Sequence, residues 1–355
     1  MSRSVVAAMT AYTLELREAE IKLNQNESPF DFPRELKEQV LAKMAERPWN
    51  RYPDFESTTL REAIGRAAGL TADNILVGNG SNELLAATIG AFVGPGTPVV
   101  FPRPTFALYE KLVTIAGGLP IPIDFAPDSG LLPLERMLDA IRKYENAVVI
   151  VCSPNNPTGS VLADGGLETL LDSGAMVLLD EAYADFQSGG QAILPVRTDK
   201  IVGPRTDKIV CPPPNLVTFR TFSKAWGLAA LRVGWLTSTP ANCREIRKVK
   251  LPYSLNVVSE AIAVAALENR SIRDRNVAAI LAERDRVFDA MRSIPRITVF
   301  PTQANFITFH AERPLFEAFC SRGILIREVA GGCLRVSIGT AAQNDAFLAA
   351  LKEIA

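Results

Sequence analysis

The sequence predicts an α/β protein with two domains: a large domain whose mostly parallel central sheet lies between helices, and a smaller α+β domain. Up to about residue 250, short and continuously apolar runs alternate with amphipathic segments. Continuous apolar runs are typical of parallel strands that are buried on both faces. After Leu251, a long helical stretch precedes several closely spaced strand patterns. Because 355 residues suit roughly two domains of ~150 residues, we expect a large domain at 45–250 and a small domain built from 1–44 and 251–355.

Periodicity and turn residues predict the elements of the large domain in order. Apolar positions that repeat every three to four residues indicate helices, and β-branched runs that stop at Gly, Pro or Asn indicate strands. Strands that alternate with helices favour a parallel sheet, since parallel neighbours need crossover connections. In chain order the prediction is helix 34–46, helix 56–68, strand 75–77, a helix from Glu83, strand 99–101, helix 106–116, and strands 148–152, 176–179, 216–219 and 233–236.

The small domain has a different order of elements. Its strands follow one another with little helix between them, which favours an α+β arrangement. The N-terminal segment up to Met44 is too short to fold alone, so we expect it to join this domain. The predicted elements are helix 261–291, strands 297–300, 306–310, 323–327 and 334–338, and a final helix from Asn344.

Composition and charge exclude several function classes. The net charge of −1 gives no electrostatic basis for binding nucleic acid or an anionic membrane surface. The five cysteines form no CxxC pair, which argues against a zinc ribbon or a disulfide framework and for a reducing compartment. The first ten residues hold too short an apolar run for a signal peptide, and no apolar stretch approaches the ~20 residues of a membrane span. We therefore expect a cytoplasmic protein.

Two further features limit the chemistry. The chain has one histidine, His310, which follows an apolar run. A single histidine excludes multi-histidine metal sites and argues against histidine-based triads, so we expect no metal and look to other groups for catalysis. Residues 197–202 recur as 205–210, and two copies are too few for a repeat protein. This duplication predicts an enlarged exposed loop or hairpin.

Polar clusters follow four of the predicted strands. In open α/β sheets, ligands bind beyond the carboxyl ends of the strands, so these clusters are candidates for one site. Taken singly, a glycine turn, a helix-capping aspartate or a surface lysine would explain most of them. The run from Asn155 to Gly159 is more specific, because two Asn, a Pro, a Thr and a Gly are a costly way to make a turn. The clusters are 78–82, 153–159, 180–183 and 220–224, with Arg232 eight residues beyond Lys224.

In this order the clusters resemble the fold-type I, aspartate-aminotransferase-like family of pyridoxal-phosphate enzymes, from about Leu23 to Gly339. The resemblance implies that pyridoxal 5′-phosphate is the cofactor and that Lys224 forms a Schiff base with it. The freed lysine amine would then move a proton between substrate and cofactor. Asp180 matches the partner of the pyridine nitrogen. Asn156 and Tyr183 match the groups that bind the ring hydroxyl, and Lys224, Asp180 and Tyr183 are the expected catalytic residues.

The resemblance also implies how the rest of the cofactor is held. The backbone N–H groups of Ser81 and Asn82 would open a helix and suit the phosphate dianion. Phe106 occupies the position where the family stacks an aromatic ring on the pyridine, although many relatives have Tyr or Trp there. The remaining phosphate contacts expected by resemblance are Thr221, Ser223 and Arg232.

Two more matches concern the partner subunit and the substrate. Tyr52, in Arg51–Asp54, matches a tyrosine that reaches the cofactor phosphate of the other subunit, which implies a homodimer with shared active sites. Arg335 matches the arginine that clamps the substrate carboxylate, a task suited to a planar, bidentate donor.

Within the family, four segments resemble the histidinol-phosphate aminotransferase branch. That branch moves an amino group between L-histidinol phosphate and 2-oxoglutarate, which gives imidazole acetol phosphate and L-glutamate in histidine biosynthesis. An arginine-rich site would accept both the carboxylate and the phosphate ester, with Arg335 as the shared contact. Further substrate contacts would come from Arg327, Tyr12 and Asn26. The segments are 23–29, 77–83, 222–228 and 324–327.

Alternative functions stay open. The spacing between Arg327 and Arg335 is shorter, and the segment between Asp180 and Lys224 longer, than expected for that branch. An aromatic amino-acid aminotransferase and a threonine-phosphate decarboxylase would share fold and cofactor. A non-catalytic cofactor-binding or regulatory protein is the alternative from another class, and the combination of Lys224, Asp180 and Arg232 argues against it.

Overall fold

The strands of the described residues form three sheets. The computed structural model describes residues 2–11, 17–187 and 211–355, so Tyr12 and the duplication at 197–210 lie outside the described residues. The described strands are β1 Ile21–Lys22, β2 Ile75–Asn79, β3 Pro98–Arg103, β4 Leu119–Asp124, β5 Val148–Cys152, β6 Met176–Asp180, β7 Leu216–Thr221, β8 Val233–Thr237, β9 Ile297–Val299, β10 Phe306–Ala311, β11 Ile324–Leu325, β12 Arg327–Val329 and β13 Cys333–Ser337.

The helices surround these sheets. None of those in the described residues is long and apolar enough to cross a membrane. The described α-helices are α1 Ser4–Ala7, α2 Arg34–Ala45, α3 Thr58–Ala68, α4 Ser81–Phe92, α5 Leu108–Ala116, α6 Leu134–Ile141, α7 Gly166–Asp172, α8 Pro240–Val249, α9 Val257–Glu268, α10 Ser271–Arg292, α11 Phe316–Cys320 and α12 Ala341–Ile354.

A seven-stranded sheet has the order β2-β8-β7-β6-β5-β3-β4. Every neighbouring pair is parallel except the two that involve β8, which runs antiparallel to both β2 and β7. The predicted mostly parallel sheet is therefore confirmed. Because β8 reverses the direction twice, β2 runs the same way as β7. The carboxyl ends of β2, β5, β6 and β7 consequently meet at one edge.

The inner strands of this sheet are buried on both faces, as their continuous apolar runs predict. All five residues of β5 are buried, and so are all six of β7. Burying such β-branched and aromatic side chains contributes ~1.5–3 kcal/mol each. Trp235 on β8 packs against Phe222, with ring centroids 4.7 Å apart. This packing fixes the turn that follows β7, which carries Lys224.

The C-terminal part contains a four-stranded antiparallel sheet in the order β12-β13-β10-β9. The N-terminal segment joins this part, because β1 pairs in parallel with β11. The Ser337 N–H also donates to the Leu23 carbonyl at 2.8 Å. These contacts join the N-terminal segment to the C-terminal part. The small domain and its division at 45 and 250 stay predictions.

Some predicted elements differ from the structure. The helix predicted at 261–291 is two helices, α9 and α10. Asn269 leaves the helical conformation between them, and its side-chain amide donates back to the Ala265 carbonyl. The strand predicted at 323–327 is also divided, because β11 pairs with β1 whereas β12 pairs with β13. The prediction missed β4, whose two prolines suit only an edge strand.

Candidate active site

A cavity of about 440 Å³ lies at the sheet edge where the carboxyl ends of β2, β5, β6 and β7 meet. All four predicted polar clusters contribute to its wall. The structure thus brings together most of the predicted site residues in one place. The predicted residues that line the cavity are Asn26, Ser81, Asn82, Phe106, Asn156, Asp180, Tyr183, Thr221, Ser223, Lys224, Arg232, Arg327 and Arg335.

Lys224 stands on the turn after β7. Its amine donates to the Gln25 carbonyl at 2.8 Å and lies 5.9 Å from the centre of the Tyr183 ring. Burial, together with the nearby positive charge of Arg335, lowers the pKa of Lys224 to about 8. Near physiological pH, a larger share of this amine is therefore neutral than in an ordinary exposed lysine. The neutral amine is the form that attacks a carbonyl.

Asp180 ends β6 and is buried. Its Oδ2 accepts a hydrogen bond from the Tyr109 hydroxyl at 2.7 Å, and its Oδ1 accepts from the Ala182 N–H at 3.0 Å. Burial raises the pKa of this carboxyl, while the two hydrogen bonds lower it. A carboxylate held in this way suits a cationic partner in the cavity, such as a protonated ring nitrogen.

Sequence reasoning missed Tyr109. It lies in the first turn of α5, next to Leu108, and is fully buried, so it is indistinguishable from a core aromatic. Its ring meets that of Phe106 edge-on, with centroids 5.6 Å apart. The one available signal was chemical, because a buried tyrosine hydroxyl usually finds a hydrogen-bond partner. That partner is Asp180, 71 positions along the chain.

An anion-binding cup forms where α4 begins. Ser81 and Asn82 open this helix and line the cavity, so their N–H groups and the positive end of the helix dipole lie at its wall. On the other side, the Arg232 guanidinium donates to the Ser223 hydroxyl at 3.3 Å. The Ser223 N–H donates to the Thr221 hydroxyl oxygen at 3.0 Å, which fixes the loop. These groups could hold a phosphate.

Two glycines allow the cup to close. Gly80 has φ +79°, and a Cβ there would lie 2.6 Å from Nη2 of Arg232. A Cβ on Gly234 of β8 would lie 2.2 Å from the Ser81 nitrogen. A side chain at Gly80 would displace the Arg232 guanidinium, and one at Gly234 would displace the start of α4 from β8. Gly234 was not a predicted site residue, since nothing in the local sequence shows that another backbone approaches it.

Two arginines stand on the opposite wall. Arg335 on β13 is buried and donates through Nη1 to Oδ1 of Asn156, and through Nη2 to the Asn24 carbonyl at 2.9 Å. Arg327 on β12 is its cross-strand partner. Two guanidinium groups on neighbouring strands suit carboxylate or phosphate ligands.

Tyr52 is the predicted site residue that the structure does not bring to the cavity of its own chain. It is 79% exposed and stacks on Tyr253, with ring centroids 4.6 Å apart. Phe55 packs edge-on against the same Tyr253 ring, and Trp49 is 73% exposed. We call the contacting rings of Tyr52, Phe55 and Tyr253 the aromatic surface. Tyr12 lies outside the described residues.

The cavity contains no metal site that the side chains could form. Among residues 2–11, 17–187 and 211–355, no group of three or more His, Cys, Asp or Glu side chains could hold a metal ion. The ligands that the cavity does offer are an amine, a carboxylate, amides, hydroxyls and guanidinium groups. This set suits an organic cofactor with a carbonyl, a ring nitrogen and an anionic group.

Comparison with known proteins finds aminotransferases among the similar sequences and structures. The profile of the family described as "Aminotransferase class I and II" matches residues 18–351. A histidinol-phosphate aminotransferase of Chlorobaculum tepidum is 34% identical over 348 residues, which cover 95% of this chain and 95% of that protein. One from Chlorobium luteolum is 37% identical, with 94% and 91% covered. The solved histidinol-phosphate aminotransferase of Sinorhizobium meliloti, in complex with pyridoxal-5′-phosphate, superposes with a TM-score of 0.85 at 26% identity, with 99% of this chain and 96% of that chain covered.

Proposed function

The chain belongs to the class I and II aminotransferase family, and from this premise we propose that it is a pyridoxal-phosphate-dependent histidinol-phosphate aminotransferase. It would move an amino group between L-histidinol phosphate and 2-oxoglutarate, giving imidazole acetol phosphate and L-glutamate in histidine biosynthesis. The names of the two relatives support this substrate. The observation that carries the reaction class is a lysine with a lowered pKa in one cavity with a buried carboxylate and an anion-binding cup.

The residues of the cavity fit the proposed cofactor. When bound, pyridoxal 5′-phosphate supplies an electron sink that stabilises negative charge at the substrate Cα. Lys224 would attach to its carbonyl carbon as the neutral amine, which its lowered pKa favours. Asp180 would hold a proton on the ring nitrogen, and Phe106 would pack against the ring. Asn156 and Tyr183 would bind the ring hydroxyl oxygen.

The anion cup would hold the cofactor phosphate. Its donors are the first N–H groups of α4 and the side chains of Thr221, Ser223 and Arg232. Arg232 already donates to Ser223 and to the Ala229 carbonyl, so its guanidinium is held in place before any ligand binds. Such preorganisation reduces the entropy lost on binding. Gly80 and Gly234 support this role because they leave room for the helix start to approach the arginine.

Once the substrate amine has replaced it, Lys224 would carry the proton between the substrate Cα and the cofactor carbon. Arg335 would bind the carboxylate of glutamate and the phosphate of histidinol phosphate in turn. Arg327, beside it in the sheet, would add a second contact to the phosphate, and Tyr12 a third. Asn26 also lines the cavity and was predicted as a substrate contact.

We further propose a cytoplasmic homodimer with shared active sites. No two of the five cysteines, all of which lie in the described residues, are joined by a disulfide, which agrees with a reducing compartment. The aromatic surface supports the dimer, since a cluster of exposed rings is typical of an interface core. In this arrangement the Tyr52 side chain would extend across the interface and reach the cofactor phosphate of the partner subunit.

A single-turnover panel tests the proposed function. The protein loaded with pyridoxal 5′-phosphate is mixed with L-histidinol phosphate, L-glutamate, L-phenylalanine or L-threonine phosphate, and the absorbance of the bound cofactor is followed. Rapid conversion by histidinol phosphate and glutamate is expected, and Lys224→Ala, the matched control, should show neither conversion nor borohydride trapping. Faster conversion by phenylalanine would indicate an aromatic amino-acid aminotransferase. Release of carbon dioxide from threonine phosphate would indicate a decarboxylase, and cofactor binding without any conversion would indicate a non-catalytic protein.

A further inference from the structure

Asn26 is held in one orientation by three buried contacts. It follows β1 and adopts a positive φ of 54°, which asparagine tolerates better than most residues. Its N–H donates to the Ser337 hydroxyl oxygen at 2.7 Å, and that hydroxyl donates to Oδ1 of Asn26 at 3.1 Å. The Asn305 amide donates to the Asn26 carbonyl at 3.2 Å. Ser337 thereby directs the amide oxygen of Asn26 towards itself and the amide nitrogen away.

The amide nitrogen of Asn26 faces Tyr183. Nδ2 donates to the Tyr183 hydroxyl oxygen at 3.0 Å, so this oxygen acts as an acceptor. A phenol has one proton, and the proton of Tyr183 therefore points elsewhere. Tyr183 lines the cavity, which makes the cavity the place where that proton can be donated. A hydroxyl that accepts one hydrogen bond is polarised and donates a stronger one.

Strand β13 is connected by hydrogen bonds to both residues that would bind the cofactor's ring hydroxyl, Asn156 and Tyr183. Arg335 and Ser337 are two residues apart on β13, so their side chains leave the same face of the sheet. Arg335 donates to Asn156, and Ser337 holds Asn26, which donates to Tyr183. One hydrogen-bonded path therefore connects β13 to Asn156, and a second connects it to Tyr183.

We propose that Asn26 is a positioning residue that directs the Tyr183 proton into the cavity and strengthens the hydrogen bond that Tyr183 donates to the cofactor's ring hydroxyl oxygen. This inference rests on the proposed function. In this role Asn26 acts on the ring hydroxyl through Tyr183. Ser337 fixes Asn26, so the position of β13 determines how well Tyr183 donates.

The consequence is a defined change in the acidity of the bound cofactor. A hydrogen bond donated to the ring oxygen stabilises negative charge there and favours loss of the proton that this oxygen shares with the Lys224 nitrogen. The other charged or titratable groups around Tyr183 are Cys152, Asp180, Lys224 and Arg335. All four remain when Asn26 is changed, so a change in acidity reports the lost hydrogen bond.

The test is a pH titration of the absorbance of the bound cofactor. Asn26→Gly keeps the positive φ, and the midpoint pH should rise by about half a unit or more because Tyr183 donates less strongly. Asn26→Asp should raise the midpoint further, since the introduced carboxylate accepts the Tyr183 proton and withdraws it from the cavity. Tyr183→Phe gives the upper limit, and adding Asn26→Gly to it should cause no further rise.

Asn305→Ala is the matched control, because it removes an equally buried amide that contacts only the main chain of Asn26. Its midpoint should equal that of the wild type. An unchanged midpoint in Asn26→Gly, or a further rise in the double variant, would overturn the inference while Tyr183→Phe still shifts the midpoint. A fall in the midpoint of Asn26→Gly would also overturn it, since Tyr183 would then be donating to Asn26 in the wild type. A wild type that takes up no cofactor would contradict the proposed function instead.

Discussion

The Tyr109 hydroxyl donates a hydrogen bond to Oδ2 of Asp180 over 2.7 Å, inside a fully buried environment. Burial raises the pKa of Asp180, and the Tyr109 hydrogen bond is the largest opposing contribution. Burial and the charge of Asp180 likewise raise the pKa of Tyr109, so its phenol stays protonated and remains a donor. The Tyr109 hydrogen bond therefore opposes the protonation of Asp180 that burial favours.

Tyr109→Phe should lower the turnover number while the cofactor stays bound. Losing a hydrogen bond to a charged group costs about 1.5–3 kcal/mol, which corresponds to roughly a tenfold or larger loss of rate. The effect should appear in kcat more than in KM, because the proposed role of Asp180 is to act on the cofactor ring rather than to bind the substrate. Steady-state kinetics measures this, with Tyr144→Phe as the control at a partly exposed tyrosine outside the cavity. Equal kcat values for the two variants would contradict the role of Tyr109.

Attachment of the cofactor should depend on pH through Lys224. Its pKa is about 8 because of burial, against the usual 10.5, and only the neutral amine attacks the carbonyl. The rate of attachment should therefore rise up to about pH 8 and become constant above it. Absorbance measured after rapid mixing of the cofactor-free protein with pyridoxal 5′-phosphate gives this profile. A rate that keeps rising to pH 10 would mean that the amine is not perturbed.

The same shift predicts a change in stability of the cofactor-free protein. Between pH 8 and 10.5 the unfolded chain holds a proton on Lys224 that the folded chain has released. The free energy of unfolding should therefore rise with pH across this window, after other titrations are subtracted. Lys224→Met has no proton to release, so the difference in stability between wild type and variant should change in this window and be constant below it. Denaturant unfolding at a series of pH values measures that difference.

Gly234→Ala should weaken cofactor binding. The added Cβ would lie 2.2 Å from the Ser81 nitrogen, so the start of α4 must move away from the cup. Overpacking of this kind costs about 1–3 kcal/mol, and 1.4 kcal/mol is about a tenfold loss of affinity. Titration with pyridoxal 5′-phosphate measures the dissociation constant. Gly94→Ala is the control, since a Cβ there meets nothing within 4 Å, and similar affinities for the two variants would contradict the proposed phosphate cup.

The two arginines of the cavity wall should separate the two amino donors. Arg335→Ala should raise the KM for glutamate and for histidinol phosphate by about tenfold or more, because each loses a charge-assisted contact. Arg327→Ala should affect histidinol phosphate alone. A loss confined to glutamate in Arg335→Ala would mean that the phosphate binds elsewhere, with Arg327 as the leading candidate. No effect on either donor would contradict the substrate role of Arg335.

Much of the cavity could be predicted because its residues follow buried strands. Asp180 ends β6, and Asn156 and Lys224 lie in the turns that follow β5 and β7. The direction of parallel strands is enough to bring them to one edge. The fold class follows from the same apolar runs. These are local patterns, so a single sequence contains them.

What could not be predicted depends on contacts between distant residues. Tyr109 is indistinguishable from a core aromatic until Asp180 is placed beside it. Gly234 matters only because the start of α4 crosses β8. The orientation of Asn26 depends on Ser337, 311 positions away. Each of these roles arises from a pair of residues, and the sequence gives no sign of the second member.

Each active site of the proposed dimer should depend on a tyrosine from the other chain. The exposed Tyr52 lies on the aromatic surface of its own chain, so we expect it to complete the site of the partner subunit across a two-fold interface of at least ~2,000 Å². Tyr52→Ala and Lys224→Ala should each be inactive alone. In a mixed dimer, the site with intact Lys224 receives Tyr52 from the other chain and is complete, while the second site lacks both groups. Mixing under conditions of subunit exchange should therefore restore about half the activity per mixed dimer.

If Tyr52 acted within its own chain, every site would lack one group and mixing would restore nothing. Subunit exchange is confirmed separately with two differently tagged chains, and sedimentation of the wild type as a monomer would contradict the dimer itself.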